Sequence, residues 1–353
     1  MNGGHTTADV DGCVAIGRLA LGGGSLTDTA AGTVAVGREA LEALTSGAGN
    51  VAIGLEAATA LTTGGDNIAI GKGSLATATT QASGNIAIGT DTMNGFTSAD
   101  TDHCIAIGYN AMQGSLNTTG AIGIGRSALA ALTTGAGNVA IGYQTLQQHT
   151  TGARNTAIGH QAMSATAGDA DDAPASTDNI AIGYQALGGD WANDEDSNFN
   201  VAIGNYALDG VLDGAIYNVG VGHNALGGLT SGDYNISIGA SSGLALTTGT
   251  QNVLIGTSAG EGLTVETNNV AIGHGAMAHA NPQADRCISI GVSSLSGDLT
   301  AAADGTVAIG YQAGNAITTG AGNVAVGYQA LTTTGTGQYN TAVGYQAADA
   351  LVD

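Results

Sequence analysis

A short phrase that ends in glycine, most often VAIG, recurs nineteen times and constrains the fold more than any other feature of the chain. Ten of the eighteen intervals between these glycines are 17 residues long, and the others run from 18 to 24. Self-similarity at such a period is typical of solenoids. The repeat glycines are residues 17, 37, 54, 71, 89, 108, 125, 142, 159, 183, 204, 222, 239, 256, 273, 291, 310, 327 and 344.

The repeats predict one β-solenoid domain over residues 1–353, with coils from about 11 to 348 and longer loops at 164–178 and 188–199. Sixty glycines with only two prolines and 4% aromatic residues fit neither collagen nor a proline-rich linker. We number positions from the repeat glycine, so that the residue before it is position −1. Coils stacked about 4.8 Å apart would span roughly 90 Å.

The residues before the glycine alternate in size, which predicts a strand. Position −1 is Ile or Val in every repeat, and position −2 is nearly always Ala, Gly or Ser. Since side chains alternate between the two faces of a strand, one face is apolar and the other small. We expect the apolar slot, for example Ile141, to lie in the dry interior. The small columns, such as those of Ala52 and Ala57, would then admit close approach of another chain.

A second strand is predicted after the glycine. Position +3 is Ala, Ser or Thr, and position +4 is Leu or Met in fourteen of nineteen repeats. Turns such as LTTGAGN, residues 132–138, would close each coil, giving strand, turn, strand, turn and an all-β fold. A helical alternative stays open for the YQALxxL phrase, because Ala and Leu favour helices. The glycine density and the short period weigh against it.

Asparagine stands at position −4 in thirteen repeats. Stacked amides can hydrogen-bond along the axis of a solenoid, so this column predicts a structural ladder that includes Asn50 and Asn138. Three repeats have cysteine there instead, namely Cys13, Cys104 and Cys287, each two residues after an aspartate. They are five and ten coils apart, which predicts buried free thiols; a metal site or interchain disulfide at a three-fold axis and exposed reactive thiols remain open.

The charge excludes several partners. With 28 acidic and 6 basic residues the net charge is −22, which repels nucleic acid and anionic lipid. No apolar run is long enough to span a membrane and the start resembles no signal peptide, so we expect no membrane insertion.

Motifs that resemble catalytic or cofactor sites follow from the repeat itself. Gly256–Gly260 matches the GxSxG elbow, and Gly123–Ala128 and Gly220–Ala225 match GxGxxA, but each is the repeat with one variable position changed. The sequence therefore predicts no enzyme, no catalytic residue and no bound cofactor.

Two features are candidate binding sites. The two inserted loops contain the weak metal candidates Asp171, Asp172, Asp194 and Asp196, which could hold Ca²⁺ but lack EF-hand or RTX spacing. Position +1 holds large amphipathic residues, which predict an exposed stripe that covers the strand edge or stacks on sugars or proteins. Its tyrosines are Tyr109, Tyr143, Tyr184, Tyr311, Tyr328 and Tyr345, and the other members are His160, His223, His274, Arg18, Arg38, Lys72 and Arg126.

The phrases NVAIG, at Asn50–Gly54 and Asn138–Gly142, and TTGAGNVAIGYQTL, at residues 133–146, resemble the head repeats of YadA-like trimeric autotransporter adhesins and repeats of phage tail fibres. The resemblance implies a left-handed parallel β-roll, a homotrimer and attachment to a surface receptor or glycan. It also implies that Val51 and Ile53 are buried and that Asn50 and Gly54 shape the turns.

This resemblance favours a structural shaft or adhesin domain of a fibrous appendage, on a virion or an extracellular cell surface. The neck, stalk and membrane anchor of the adhesins have no counterpart, which favours a virion fibre or an excised segment. The alternative function is a ligand-binding solenoid for ice or divalent cations, based on Thr-Thr pairs such as Thr133–Thr134.

Overall fold

The computed structural model describes residues 11–22, 26–78, 82–95, 101–114, 117–165, 175–189, 191, 195–279, 283–300, 303–333 and 335–349. Within these ranges the chain is all-β, with one three-residue strand in each repeat and no α-helix. No helix of the described part is long and apolar enough to cross a membrane. A 3₁₀ turn spans Asp28–Ala30.

The nineteen strands are β1 (Val14–Ile16), β2 (Val34–Val36), β3 (Val51–Ile53), β4 (Ile68–Ile70), β5 (Ile86–Ile88), β6 (Ile105–Ile107), β7 (Ile122–Ile124), β8 (Val139–Ile141), β9 (Thr156–Ile158), β10 (Ile180–Ile182), β11 (Val201–Ile203), β12 (Val219–Val221), β13 (Ile236–Ile238), β14 (Val253–Ile255), β15 (Val270–Ile272), β16 (Ile288–Ile290), β17 (Val307–Ile309), β18 (Val324–Val326) and β19 (Thr341–Val343).

The chain divides into two compact units, Met1–Asp178 with β1–β9 and Asn179–Asp353 with β10–β19. Inside each unit every strand pairs in parallel with the strand of the next coil, residue for residue. In the first unit, for example, Ala140 of β8 lies opposite Ala157 of β9. This is the predicted parallel β-solenoid with turns of about 17 residues.

The repeat glycine is required by both backbone conformation and space. Gly142 has φ +139°, and a Cβ added there would lie 2.3 Å from the carbonyl oxygen of Gly159 in the next coil. All nineteen repeat glycines have φ between +127° and +144°. An L-residue rarely adopts this conformation, so the glycine allows each coil to turn sharply while lying against its neighbour.

The prediction of a second strand after the glycine is wrong in the described coils. Positions +2 and +4 adopt left-handed backbone angles, as at Gln144 with φ +53° and Leu146 with φ +49°. The segment therefore bends at alternate residues instead of extending, and it forms a run of turns. The helical alternative is not formed either. The side chains at position +4 lie in the core, since Leu41, Leu75 and Leu146 are fully buried.

The prediction of which strand face lies inside is also wrong. Ala140 is fully buried, whereas Ile141 is 36% exposed and Ile53 is 39% exposed. Val51 is half-buried, and Ala52 and Ala57 lie in the core rather than on an open face. The small residues thus face inward and the branched apolar residues outward.

The reason for this arrangement is that the interior beside the strand is narrow. A Cβ added to Gly123, at position −2 of β7, would lie 2.9 Å from Cγ of Met112 and 3.3 Å from the carbonyl oxygen of Ala128. The single leucine at position −2 shows the same limit. Leu254 fits because glycine replaces the usual leucine at Gly243 and Gly260, whose added Cβ atoms would come within 2.8 and 2.7 Å of it.

The predicted asparagine ladder is present in the core. Oδ1 of Asn50 accepts hydrogen bonds from the backbone N–H and the side-chain Nδ2 of Asn67, both at 3.1 Å. Oδ1 of Asn67 accepts the same two hydrogen bonds from Asn85 in the next coil. In the second unit the ladder joins Asn200, Asn218 and Asn235. These buried amides satisfy backbone groups that water does not reach.

Candidate binding surface

An uninterrupted apolar face runs along the strands of each unit. Positions −3 and −1 are Val or Ile in every repeat except at Thr156 and Thr341, and no charged residue occurs at either position. Their side chains point away from the core. The outward residues Ile180, Ile182, Ile236 and Ile238 are 37–41% exposed. We call this surface, positions −3 and −1 of all strands, the strand face.

The position +1 stripe borders the strand face and is exposed as predicted. In the first unit it forms a stack over four consecutive coils, Tyr109, Arg126, Tyr143 and His160. The Arg126 guanidinium lies 5.7 Å from the ring centre of Tyr109 and 5.8 Å from that of Tyr143. The Tyr143 and His160 rings stack at 4.9 Å. Such cation–π and ring contacts order side chains that are otherwise solvent-exposed.

Position +1 is also exposed in the second unit, where the stacked residues are tyrosines. Tyr311, Tyr328 and Tyr345 stack at 5.1 and 5.3 Å, with exposed fractions of 43, 44 and 73%. Tyr184 is 37% exposed and meets the ring of Tyr206 edge to face. The stripe is therefore an ordered ladder of side chains.

A second aromatic column lies on the other side of the strand face, at position −5. Phe199 and Tyr217 stack at 4.9 Å with an angle of 4° between their planes, and Tyr217 and Tyr234 stack at 5.2 Å with 11°. We call these three residues the aromatic column. Sequence reasoning missed it, although the signal was available as three consecutive repeats with an aromatic residue five places before the glycine.

The acidic loops supply no metal site within the described residues. Asp171, Asp172 and Asp194 lie outside those residues, and Asp196 is exposed. The described part of the chain contains no group of three or more His, Cys, Asp or Glu side chains that could hold a metal ion. The calcium prediction therefore has no support from the described coils.

The three cysteines are free thiols, and two of them are fully buried as predicted. The Cys104 thiol donates to the carbonyl oxygen of Thr118 at 3.6 Å, and that of Cys287 donates to the carbonyl oxygen of Ala303 at 3.5 Å. Burial raises the pKa of both thiols to about 11. Neither residue therefore has the thiolate character of a reactive cysteine in the described chain.

The threonine pairs use part of their hydroxyl capacity inside the solenoid. The hydroxyl of Thr133 donates to the carbonyl oxygen of Thr150 at 2.9 Å, and that of Thr318 donates to the carbonyl oxygen of Gly335 at 2.7 Å. Both contacts join successive coils. These two hydroxyls hold the turns together.

The elbow-like Gly256–Gly260 segment follows β14 as a turn, as in the other repeats. Ser258 has φ +55° and occupies the same position +2 as Gln144, with no helix after it in the described residues. The geometry of a nucleophile elbow, a strand followed by a helix, is therefore not formed there.

His149, at position +7, is buried, which the sequence analysis did not predict. Position +7 holds Leu132, Leu229 and Leu246 in other coils, and His149 takes this place with 1% exposure. Its Nε2 lies 3.0 Å from the carbonyl oxygen of Gly152. Desolvation lowers the pKa of the imidazole to about 4, with the Gly152 contact opposing the shift.

No protein-family model and no curated protein sequence matches the chain.

Proposed function

We propose that the chain is a structural shaft or adhesin domain of a fibrous appendage, and that three copies associate through their strand faces. The stoichiometry of three and a left-handed roll follow from the resemblance to YadA-like head repeats. The observation that carries the proposal is the strand face itself, which is apolar in every coil and open in the single chain. Soluble monomers rarely expose apolar surface of this extent.

A second copy is the partner that fits the strand face best. Another chain with the same coil spacing offers an apolar surface of the same length and period, so apolar contacts can form coil by coil. The net charge of −22 opposes association elsewhere on the surface, whereas the strand face has no charged residue. Burial of its Val and Ile side chains would stabilise the assembly by roughly 25 cal/mol for each Å² of apolar surface removed from water.

The repetition of surface features along three chains suits the proposed role in attachment. Three identical chains display every surface feature three times and at fixed intervals, which raises avidity without any new contact. The function proposed is therefore multivalent attachment to a surface receptor or glycan, with the virion exterior or the cell exterior as its location. The ladders at position +1 provide ordered exposed side chains for such contacts.

The assembly is tested by light scattering coupled to size exclusion. Three chains of 34.1 kDa predict a mass of about 102 kDa. Ile141→Asp combined with Ile238→Asp places one carboxylate on the strand face of each unit, and we expect a shift to about 34 kDa with the circular-dichroism spectrum retained, because both side chains point outward. Tyr143→Ser, with a similar exposure of 38%, is the matched control and should stay at the parent mass.

A parent protein that elutes as a 34 kDa monomer or as a dimer contradicts the three-chain assembly. A double variant that keeps the parent mass shows that the strand face is not the interface.

A further inference from the structure

We propose that the aromatic column, Phe199, Tyr217 and Tyr234, is a binding platform for an extended, uncharged β-1,4-linked polysaccharide. This inference does not rest on the proposed assembly, because all three residues belong to one chain and to one unit.

The fold does not require large side chains at position −5. Glycine stands there in eight of the nineteen repeats, at 12, 32, 49, 84, 120, 137, 305 and 322. The position has a left-handed φ in all coils, +60° at Phe199, +58° at Tyr217 and +57° at Tyr234. Bulky residues adopt this conformation at a cost that glycine avoids, so the turn itself does not require the rings.

The rings are ordered and still accessible. Their centroid separations of 4.9 and 5.2 Å are those of offset stacking, in which each ring leaves part of its face uncovered. Phe199, Tyr217 and Tyr234 are 43, 44 and 52% exposed. Since the rings already hold one another in place, a ligand would lose little side-chain entropy by binding to them.

Polar residues occupy the same repeat position in the next coils and precede two of the rings in the sequence. The column continues in the next two coils with the amides of Gln251 and Asn268, both exposed. The Asp233 carboxylate is oriented by the backbone N–H of Ile216, which donates to its Oδ1 at 2.8 Å, and these two residues immediately precede Tyr234 and Tyr217. Aromatic surface flanked by a few oriented amides and carboxylates suits a ligand with apolar ring faces and hydroxyl edges.

The separation of the rings favours a β-1,4 linkage, and the negative charge of the chain favours an uncharged sugar. A pyranose in an extended β-1,4-linked chain advances by about the length of one sugar ring, which is close to the separation of successive rings in the column, so consecutive sugars could meet consecutive coils. The net charge of −22 and the neighbouring Asp233 disfavour uronic acids and sulfated sugars. Neutral glucans or N-acetylglucosamine polymers fit best.

The test is calorimetric titration of the full chain with cellohexaose and chitohexaose, with hexagalacturonate as the anionic comparison. We expect binding of at least one neutral hexasaccharide, at least tenfold weaker binding of its trisaccharide, and no binding of hexagalacturonate. Tyr217→Gly combined with Tyr234→Gly installs the residue that eight other coils carry, so the coils should fold normally, and binding should fall at least tenfold. Tyr339→Gly removes a lone exposed aromatic residue at the same position −5, outside the aromatic column, and should leave binding unchanged.

The proposal is overturned if neither neutral hexasaccharide binds, if the double glycine variant binds as the parent does, or if Tyr339→Gly loses binding equally. A change in the mass of the double glycine variant would assign the column to an interchain contact and would also overturn the proposal. Because binding is measured per chain, a monomeric parent that binds the hexasaccharide refutes the assembly and leaves this inference standing.

Discussion

Replacement of one repeat glycine by alanine should disrupt the solenoid locally, and the neighbouring turn supplies a matched control in the same coil. Gly142 has φ +139°, and an added Cβ would lie 2.3 Å from the carbonyl oxygen of Gly159. Gly137 has φ +71°, and its added Cβ would meet only Cγ of Arg154, at 3.8 Å. Gly142→Ala therefore combines strain with a backbone clash, whereas Gly137→Ala meets strain alone.

The magnitudes follow from these two environments. Holding Ala at the Gly142 angles costs about 1–3 kcal/mol. Relieving the clash requires the two coils to move apart, which lengthens bonds such as Gly159 N–H to Ile141 O, now 2.8 Å; each bond lost costs about 0.5–1.5 kcal/mol. With two such bonds lost, the total for Gly142→Ala is about 2–6 kcal/mol. For Gly137→Ala the left-handed conformation costs about 1–2 kcal/mol, partly offset by reduced entropy of the unfolded chain.

The assay is native-state hydrogen exchange, since a repeat array need not unfold in one step. Each coil contacts only its neighbours, so the loss of protection should concentrate at the amides of β7, β8 and β9. From the midpoints of the two ranges, the local opening free energy in the Gly142 variant should fall by about 3 kcal/mol more than in the Gly137 variant. Equal losses in the two variants, or a loss spread evenly over the whole chain, would refute the reasoning.

Two further predictions concern buried polar residues. Oδ1 of Asn235 accepts from both nitrogens of Asn252 at 3.0 Å, and its Nδ2 donates to the carbonyl oxygen of Gly249 at 2.9 Å, so Asn235→Ala should cost about 2–4 kcal/mol in urea denaturation. Thr257 is exposed, so the control variant Thr257→Ala should change the urea midpoint little. A similar change in both variants would contradict a structural role for the asparagine ladder. The pKa of His149 is lowered to about 4, so the folded protein keeps this imidazole neutral while the unfolded chain gains a proton as the pH falls below about 6.5. The stability contributed by the neutral imidazole, on the order of 3 kcal/mol, is complete above about pH 6.5 and is lost as the pH falls toward 4. His149→Leu should remove that part of the pH dependence in thermal melts, and a slope that is unchanged between pH 6.5 and 4 would show that His149 does not cause it.

Much of the fold could be read from the sequence because the repeat removes most alternatives. Nineteen copies of one short phrase cannot bury an apolar surface singly, so the coils have to stack, and the period of about 17 residues sets their size. The invariant glycine and the asparagine column were also readable. One is required wherever φ is near +139°, and the other follows from stacking identical amides in a dry interior.

Which face of the strand lies inside was decided by the tertiary structure. Period-two alternation in Val139, Ala140 and Ile141 defines two faces but does not say which is inside, and burial of the larger residues was the natural expectation. Two features reverse it: the left-handed angles after the glycine, which bend the chain back, and the Leu146 side chain, which fills the core from the opposite side. Where leucine or methionine fills the core at position +4, only a small side chain fits beside the strand, so the isoleucines face outward and form the surface on which the proposed assembly depends. The aromatic column likewise needed the coils in place, because only stacking brings Phe199, Tyr217 and Tyr234, distant in sequence, within ring contact of one another.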